Sequence, residues 1–260
     1  LLLGGGFLGI LFATVGGLFL AERALVPIRL AFRRQQDFVA DASHELRTPL
    51  TLIRANAEMI TRHPEQPAAA NADLLQDILS ETDRLSHLVT DLLTLARADA
   101  GQEHLDLADF SLSDLAAETV RQFAPLASAH RIDLTVAADS PVTIRGDVAR
   151  MRQLLVILLD NAMKYTPEGG LVEVTCRMNR PGGRLPVTLT VSDSGSGIAA
   201  EDLPHIFERF YRADPARRHD GSAGLGLAIA QWIVAAHRGR IQAANMPGRG
   251  SAFTVQLPAA

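Results

Sequence analysis

The chain has 260 residues, 47% hydrophobic and 21% charged, a composition that excludes a disordered, collagen-like or disulfide-stapled protein. Its net charge of −4 gives no electrostatic reason to expect direct binding to nucleic acid, and its single cysteine excludes an internal disulfide. Two local features depart from these averages. Residues 1–20 carry no charge, and Lys164 is the only lysine among 25 basic residues.

The uncharged segment at residues 1–20 contains 13 apolar residues, six glycines and one threonine. A helix of this length rises about 30 Å, so we predict a transmembrane helix. A signal peptide is the alternative, but the segment lacks a basic start and is too long. By the positive-inside rule, the arginines at residues 23–34 predict that the chain after this segment lies in the cytoplasm. Because the chain opens with leucine inside an apolar run, we expect this to be the last membrane helix of a longer protein.

A first long helix is predicted over residues 28–62, beginning within a short juxtamembrane linker at residues 21–37. Its apolar positions from Leu46 to Ile60 recur at alternating steps of four and three residues, which is the seam of a coiled coil. Pro49 is the one residue in this helix that disfavours it.

A second helix is predicted over residues 73–99, after a turn that the prolines within residues 63–67 require. The same spacing continues from Leu75 to Ala96, and Gly101 ends the helix as a left-handed C-cap. Two helices with narrow apolar stripes form an antiparallel hairpin, and a second copy would cover the stripes in a dimeric four-helix bundle. The alternative is a hairpin that packs on its own C-terminal domain.

The rest of the chain mixes helices and strands, so the whole is an α+β protein. Helices are predicted at 112–130, 148–165 and 225–237. Strands are predicted at 132–136, 142–144, 171–177, 187–192, 240–244 and 252–257. Strands with short connections and a few interleaved helices favour an α/β sandwich, with the helices on one face of a mixed sheet.

His44 lies two residues from the seam of the first long helix, so its imidazole should project into solvent. Glu45 is adjacent to it, and Thr48 follows one turn later. An imidazole with one free nitrogen is a nucleophile near neutral pH, and a neighbouring carboxylate can orient it or take up its proton. Such a pair alone is usually a solvated surface pair, so its meaning depends on the other motifs.

The end of the helix at 148–165 carries three side chains that suit a nucleotide phosphate. Asn161 offers an amide oxygen to Mg²⁺, Lys164 offers a point charge to a phosphate, and Tyr165 offers a ring to a base or sugar. The only lysine of the chain lies here, which favours a need for a compact charge, although chance is the alternative.

Two glycine clusters follow. Asp193, Gly195 and Gly197 come directly after a predicted strand, where glycines allow a close approach and the carboxylate can accept a hydrogen bond from an exocyclic amine. Residues 221–227 open the helix at 225–237, whose first backbone amides can hold phosphate oxygens. Neither cluster has the P-loop or Rossmann pattern.

The segment between the clusters, residues 207–212, contains Arg209 and Arg212 and continues into further cations at residues 217–219. We predict a lid with cations directed at phosphate. The alternative is a solvated loop that three aromatic residues anchor.

In this order, the motifs resemble the conserved boxes of bacterial two-component sensor histidine kinases. The matching segments are the H box at 44–49, the N box at 160–165, the G1 box at 193–197, the F box at 207–212 and the G2 box at 221–227. The resemblance implies a HisKA-type dimerisation and phosphotransfer domain at residues 38–100. It implies a GHKL (Bergerat-type) catalytic ATP-binding domain at residues 105–260.

The resemblance also implies a role for each residue. His44 would receive the γ-phosphoryl group of ATP, Glu45 would assist proton removal, and Thr48 would position water in a phosphatase reaction. Asn161 would hold Mg²⁺, and Asp193 would bind the adenine amino group. The residues implied to bind ATP are Asn161, Lys164, Tyr165, Asp193, Gly195, Gly197, Arg209 or Arg212, Gly224, Leu225 and Gly226.

The implied partners are a second copy of the chain and a response regulator, whose aspartate accepts the phosphoryl group. The implied location is the bacterial cytoplasmic (inner) membrane, with the catalytic part in the cytoplasm. Two features depart from the family. Ile157 occupies a position where the family usually has a second asparagine, and the linker at 21–37 is too short for the two-helix signalling module. A chaperone or topoisomerase ATPase is an alternative that would share the N, G1 and G2 boxes but not the H box. A non-catalytic scaffold or a phosphatase-dominant sensor is another.

Overall fold

The computed structural model describes residues 2–62, 68–138, 141–179, 185–213, 223–246 and 250–259, and most side chains before residue 35 are outside the description. The chain divides into two compact units, Leu1–Asp83 and Arg84–Ala260. Helix α1 (Leu2–Arg62) belongs to the first unit, whereas α2 (Ala72–Asp99) begins in the first and ends in the second. A short 3-10 helix, Ala68–Asn71, precedes α2.

Helix α1 continues without a break through the predicted linker and through Pro49. A proline removes one hydrogen bond from the helical ladder, and the bonds on either side of Pro49 maintain the helix. Among the residues whose side chains are described, no helix is both long and apolar enough to cross a membrane. The side chains of residues 1–22 lie outside that set, so the membrane helix at residues 1–20 stays a prediction.

Helix α2 agrees with the second predicted helix to within one residue at its start, and it ends at the predicted residue, Asp99. Gly101 adopts a left-handed φ of 63°. The N–H of Gln102 donates to the carbonyl of Arg97 at 3.0 Å, which satisfies one of the last free carbonyls of the helix. The prediction of a glycine C-cap is confirmed.

The residues of α2 that the single chain buries lie beside the predicted seam, which a second copy is expected to cover. Leu88 and Leu95 are buried although the seam omits them, whereas Leu75 and Val89, which the seam includes, are each 43% exposed in the single chain. Apolar residues occupy neighbouring positions along α2, and each of two adjacent stripes has the same three-four spacing. Spacing alone therefore could not determine which stripe the single chain buries.

The second unit contains a mixed five-stranded sheet and a separate two-stranded one. The strands are β1 (Ala108–Ser111), β2 (Asp133–Ala138), β3 (Thr143–Gly146), β4 (Leu171–Met178), β5 (Val187–Asp193), β6 (Arg240–Asn245) and β7 (Ser251–Leu257). The large sheet has the order β2-β4-β5-β7-β6, in which only β2 and β4 are parallel neighbours. Strands β1 and β3 form the antiparallel pair.

Three helices cover one face of the large sheet: α3 (Leu112–Ala129), α4 (Val148–Tyr165) and α5 (Gly226–Ala236). Alternate residues of β4, β5 and β7 are buried beneath them. In register across the strands, Val174 pairs with Val191 and Val191 with Phe253, so the buried residues share one face. The predicted sandwich, with helices on one face of a mixed sheet, is confirmed.

Local signals explain which element bounds could be predicted. Helix α4 has the predicted bounds, because the side chain of Asp147 accepts a hydrogen bond from the N–H of Arg150 at 3.0 Å and caps its start. Pro167 follows closely after its end. The prediction missed β1, whose four residues are exposed or half-buried and show no alternation.

Cys176 lies on the helix-covered face of β4 and is 0% exposed. Burial raises the pKa of its thiol to about 11, so the thiol stays protonated and out of contact with reagents. We expect Ellman's reagent at pH 8 to leave Cys176 unmodified in the native protein and to modify it fully in denaturant. Rapid modification of the native protein would contradict this burial.

Candidate functional site

The carboxylate of Asp193, at the end of β5, is buried, with 5% exposure. One of its oxygens accepts hydrogen bonds from the N–H of Gly195 at 2.8 Å and of Ser251 at 3.3 Å. The other accepts a bond from the hydroxyl of Ser251 at 2.5 Å. A buried carboxylate needs such partners, and here they also fix its orientation.

The sequence analysis missed Ser251. Strand β7 lies beside β5 in antiparallel register, with Ser192 opposite Ala252, so the end of β5 meets the start of β7. A hydroxyl at the first position of the last strand was the available signal. The sequence alone does not show that this strand lies beside β5, so the hydroxyl could not be connected with Asp193.

The glycine loop after β5, residues 193–198, contacts the end of α4. A methyl group on Gly195 would lie within 2.9 Å of the carbonyl carbon of Tyr165 and 2.8 Å from a carboxylate oxygen of Asp193. Both neighbours restrict the space, so this position requires a residue without a side chain. The predicted N and G1 boxes are therefore in direct contact.

Three predicted site residues lie in the last two turns of α4, on the faces of the helix that do not pack into the core. The residues that bury this end of the helix are Leu158, Leu159, Ala162 and Met163. Asn161 is half-buried, and its side-chain N–H donates to the carbonyl of Ile157 at 3.2 Å, so its oxygen is the part that can act as a ligand. The ammonium of Lys164 lies 5.1 Å from the ring centre of Tyr165.

Helix α5 begins at Gly226, with Leu225 as its N-cap, and within the described chain no side chain caps it. Uncapped first-turn amides can bind an anion. A methyl group on Gly226 would lie 3.3 Å from Ile157, so the residue that departs from the family pattern faces the start of α5. This contact connects α4 with the predicted G2 box.

A backbone hydrogen bond joins the F box to the G2 box. The N–H of Phe210 donates to the carbonyl of Gly224 at 3.0 Å. Phe210 adopts a φ of 61°, a left-handed conformation that is rare for a bulky residue and costs on the order of 1–3 kcal/mol. The surrounding contacts therefore hold this residue in a strained conformation.

Aromatic residues anchor the F box to its surroundings. The ring of Phe207 meets that of Phe253 edge to face, with centres 6.4 Å apart. The hydroxyl of Tyr211 donates to a carboxylate oxygen of Asp202 at 2.6 Å, which raises the pKa of Tyr211 to about 12. The phenol therefore remains a hydrogen-bond donor well above neutral pH.

The two arginines of the F box differ in their surroundings. The guanidinium of Arg209 donates two hydrogen bonds, at 2.6 and 2.7 Å, to the two oxygens of Asp99, the last residue of α2. This bidentate pair lies within the second unit. Arg212 is half-buried three residues later. The predicted cations at residues 217–219, and residues 221–222 of the G2 box, lie outside the described residues.

His44 lies on α1, in the first unit, and its side chain is exposed as predicted. Glu45 beside it is half-buried, and Thr48 is exposed on the same face of the helix one turn later. The structure therefore gives the imidazole the solvent access that a nucleophile requires.

Comparisons with known proteins agree with these observations. The His Kinase A (phospho-acceptor) domain matches residues 34–101, and the histidine kinase-, DNA gyrase B- and HSP90-like ATPase family matches residues 146–260. The sensor histidine kinase RppB of Synechocystis is 38% identical over 241 residues, which are 92% of this chain and 52% of RppB. The kinase/phosphatase MprB of Mycolicibacterium paratuberculosis is 40% identical over 249 residues, 91% of this chain and 45% of MprB.

Among solved structures, the histidine kinase AdeS of Acinetobacter baumannii aligns with a TM-score of 0.67 and 28% identity, covering 83% of this chain and 98% of that one. The chain belongs to the sensor histidine kinases of two-component systems. The predicted helical hairpin and α/β ATPase fold are confirmed. The chain spans about half the length of the curated relatives it matches.

The close packing at Gly195 predicts a contrast between two glycines of the site. Alanine at position 195 would collide with the backbone of Tyr165, and we expect Gly195→Ala to cost about 2 kcal/mol of stability. Gly226→Ala meets only a side-chain methyl of Ile157 and should stay within about 1 kcal/mol of wild type. Chemical denaturation followed by circular dichroism measures both. Equal effects of the two substitutions would contradict the packing described.

Proposed function

We propose that this chain autophosphorylates His44, using ATP bound in the second unit, and passes the phosphoryl group to an aspartate of a response regulator. The observation that carries the proposal is the exposed His44 within the matched phosphoacceptor segment, in a chain that also has an ATPase-type site. The phosphoacceptor segment also disfavours a gyrase-like or HSP90-like ATPase without a histidine substrate.

The site around Asp193 suits an adenine nucleotide. Ser251 and Gly195 hold the carboxylate, and its second oxygen retains capacity to accept a bond from an exocyclic amino group. Gly195 and Gly197 are proposed to let the nucleotide approach the backbone. The start of α5, at residues 224–226, is proposed to receive phosphate oxygens, because its first amides have no side-chain cap among the described residues.

The donor set at the end of α4 fits Mg²⁺. The amide oxygen of Asn161 is a hard ligand, and its amide N–H is already bonded to Ile157. Mg²⁺ usually takes few protein ligands and completes its shell with phosphate oxygens and water, so one amide suffices. When bound, Mg²⁺ would neutralise charge on the ATP phosphates, while Lys164 adds a point charge and Tyr165 a ring for the base or sugar.

The chemistry at His44 requires a neutral imidazole with one free nitrogen. That nitrogen attacks the γ-phosphorus of ATP, ADP leaves, and Glu45 takes up the imidazole proton. Thr48, on the same helical face, is proposed to position water when the chain removes a phosphoryl group from its response regulator. The name of MprB, a kinase/phosphatase, supports this second activity.

A homodimer is proposed because the helices expose many large apolar side chains. The most exposed of these include Leu50 (61%), Met59 (57%), Leu79 (60%) and Leu93 (50%). Helices of such length rarely leave apolar residues in water unless a partner covers them. The match to the phosphoacceptor family supports the same conclusion.

Membrane attachment through residues 1–20 is likewise proposed. Two observations support it: the segment carries no charge, and the backbone is helical from Leu2 onward. Four arginines follow before residue 35, and such residues remain on the cytoplasmic side. The proposal thus assigns His44 and the ATP site to the cytoplasm.

The proposed reaction predicts a specific label. Incubation of the chain with γ-labelled ATP and Mg²⁺ should give acid-labile, base-stable label, and EDTA should abolish it. His44→Gln should carry none, whereas His87→Gln, which alters another exposed helical histidine, should be labelled like wild type. An unlabelled wild-type chain, or equal label on His44→Gln, would refute the proposal.

The surroundings of the F-box arginines predict which one contacts phosphate. Asp99 binds both terminal nitrogens of the Arg209 guanidinium, and a phosphate would have to displace that carboxylate, so of the two implied arginines we propose Arg212 for the phosphate contact. Arg212→Ala should lower kcat/KM for ATP about tenfold, as expected for the loss of one charge-assisted hydrogen bond, and Arg209→Ala should lower it less than about threefold. Initial autophosphorylation rates measure both. The reverse order would contradict the assignment.

A further inference from the structure

We infer that Asn245, at the end of β6, is a positioning residue that fixes the far end of the glycine loop (residues 193–198) and thereby sets the affinity for nucleotide. The inference rests on the proposed function. Its basis is a pair of hydrogen bonds between one side chain and one backbone residue of the loop.

The side chain of Asn245 binds both polar groups of the Ile198 backbone. Its N–H donates to the carbonyl of Ile198 at 2.6 Å, and its oxygen accepts from the N–H of Ile198 at 2.8 Å. The two bonds join residues 47 apart in the sequence. A primary amide offers a donor and an acceptor side by side, which is the arrangement that a neighbouring strand would present.

This pairing depends on the chemical nature of asparagine. An aspartate of the same size keeps an acceptor for the N–H of Ile198, but it places an oxygen opposite the carbonyl of Ile198, where a donor is required. An alanine removes both bonds. Asn245→Asp preserves the volume of the side chain but not its donor, so this variant separates a hydrogen-bonding role of Asn245 from a role in filling space.

The glycine loop passes close to the same amide. Gly197 has a φ of 72°, and a methyl group added there would lie 3.0 Å from the side-chain oxygen of Asn245. Strand β6 thus approaches the loop directly, with Gly197 and Ile198 both in contact with one side chain.

The two ends of the loop are consequently held by two neighbouring strand ends. Ser251, at the start of β7, bonds to Asp193, while Asn245, at the end of β6, bonds to Ile198. The N–H of Met246 donates to the carbonyl of Gly250 at 2.9 Å, which ties the two strand ends together. Any nucleotide that rests on the loop meets a backbone fixed at both ends.

Loss of the Asn245 bonds frees one end of the loop without touching His44, Asn161 or the carboxylate of Asp193. The bound nucleotide must then order that end itself, so its affinity falls, while the phosphoryl transfer step is unchanged. The expected signature is a raised KM for ATP with an unaltered kcat, which a general loss of folding would not produce.

The test compares Asn245→Ala and Asn245→Asp with wild type in the full chain, and uses Asn179→Ala as the matched control. Asn179 also makes one exposed side-chain bond, to Thr188 at 2.7 Å, but at the opposite end of β5. We expect both Asn245 variants to raise the KM for ATP about fivefold to tenfold, with kcat within about twofold. Asn245→Ala loses both hydrogen bonds, whereas Asn245→Asp loses one and places an oxygen against the carbonyl of Ile198. Asn179→Ala should match wild type.

Two further measurements separate this inference from the proposed function. Titration with a fluorescent ADP analogue requires no phosphoryl transfer, so it decides the role of Asn245 even if His44 is never labelled. Amide hydrogen exchange of Ile198 should accelerate in Asn245→Ala, which removes the acceptor of that N–H, while that of Val191 in the core of β5 stays unchanged. Wild-type nucleotide affinity in Asn245→Ala, or a normal KM in Asn245→Asp, would overturn the inference, as would a fall in kcat at constant KM.

Discussion

The hydrogen bonds around the buried carboxylate of Asp193 are the interaction on which the proposed nucleotide site depends. A carboxylate that is 5% exposed must be supplied with donors, and the first residues of the glycine loop and of β7 supply them. These donors meet only because β5 and β7 are antiparallel neighbours. The strand order thus determines where the loop turns, and with it the position of every group that the loop contacts.

From this centre, short contacts connect the separate sequence motifs. Gly195 packs on the backbone of Tyr165, which brings the end of α4 to the loop. Ile157 faces Gly226 at the start of α5, and Phe210 bonds to Gly224. Four of the motifs therefore form one continuous structure within the second unit, whereas His44 belongs to the first. This division agrees with a chemistry in which the phosphoryl donor and its acceptor are carried by different units.

The sequence predicted features that depend on nearby residues and missed those that depend on distant ones. Helix α4 was predicted to the residue, because Asp147 and Pro167 mark its ends locally. The roles of Ser251 and Asn245 were invisible, because each bonds to a residue 58 or 47 positions away and only the strand order brings the partners together. Which apolar residues of α2 the single chain buries could not be predicted, because adjacent residues satisfy the same spacing and only tertiary packing selects Leu88 and Leu95.

The salt bridge at the end of α2 has a mechanical consequence. Asp99 is the last residue of a helix, Arg209 holds its carboxylate at two points, and the next residue in the chain, Phe210, is bonded to the backbone just before α5. These contacts connect the last turn of α2 to the start of α5. A displacement of the last turn of α2 therefore has a direct route to the start of α5, and that route passes through the strained backbone of Phe210.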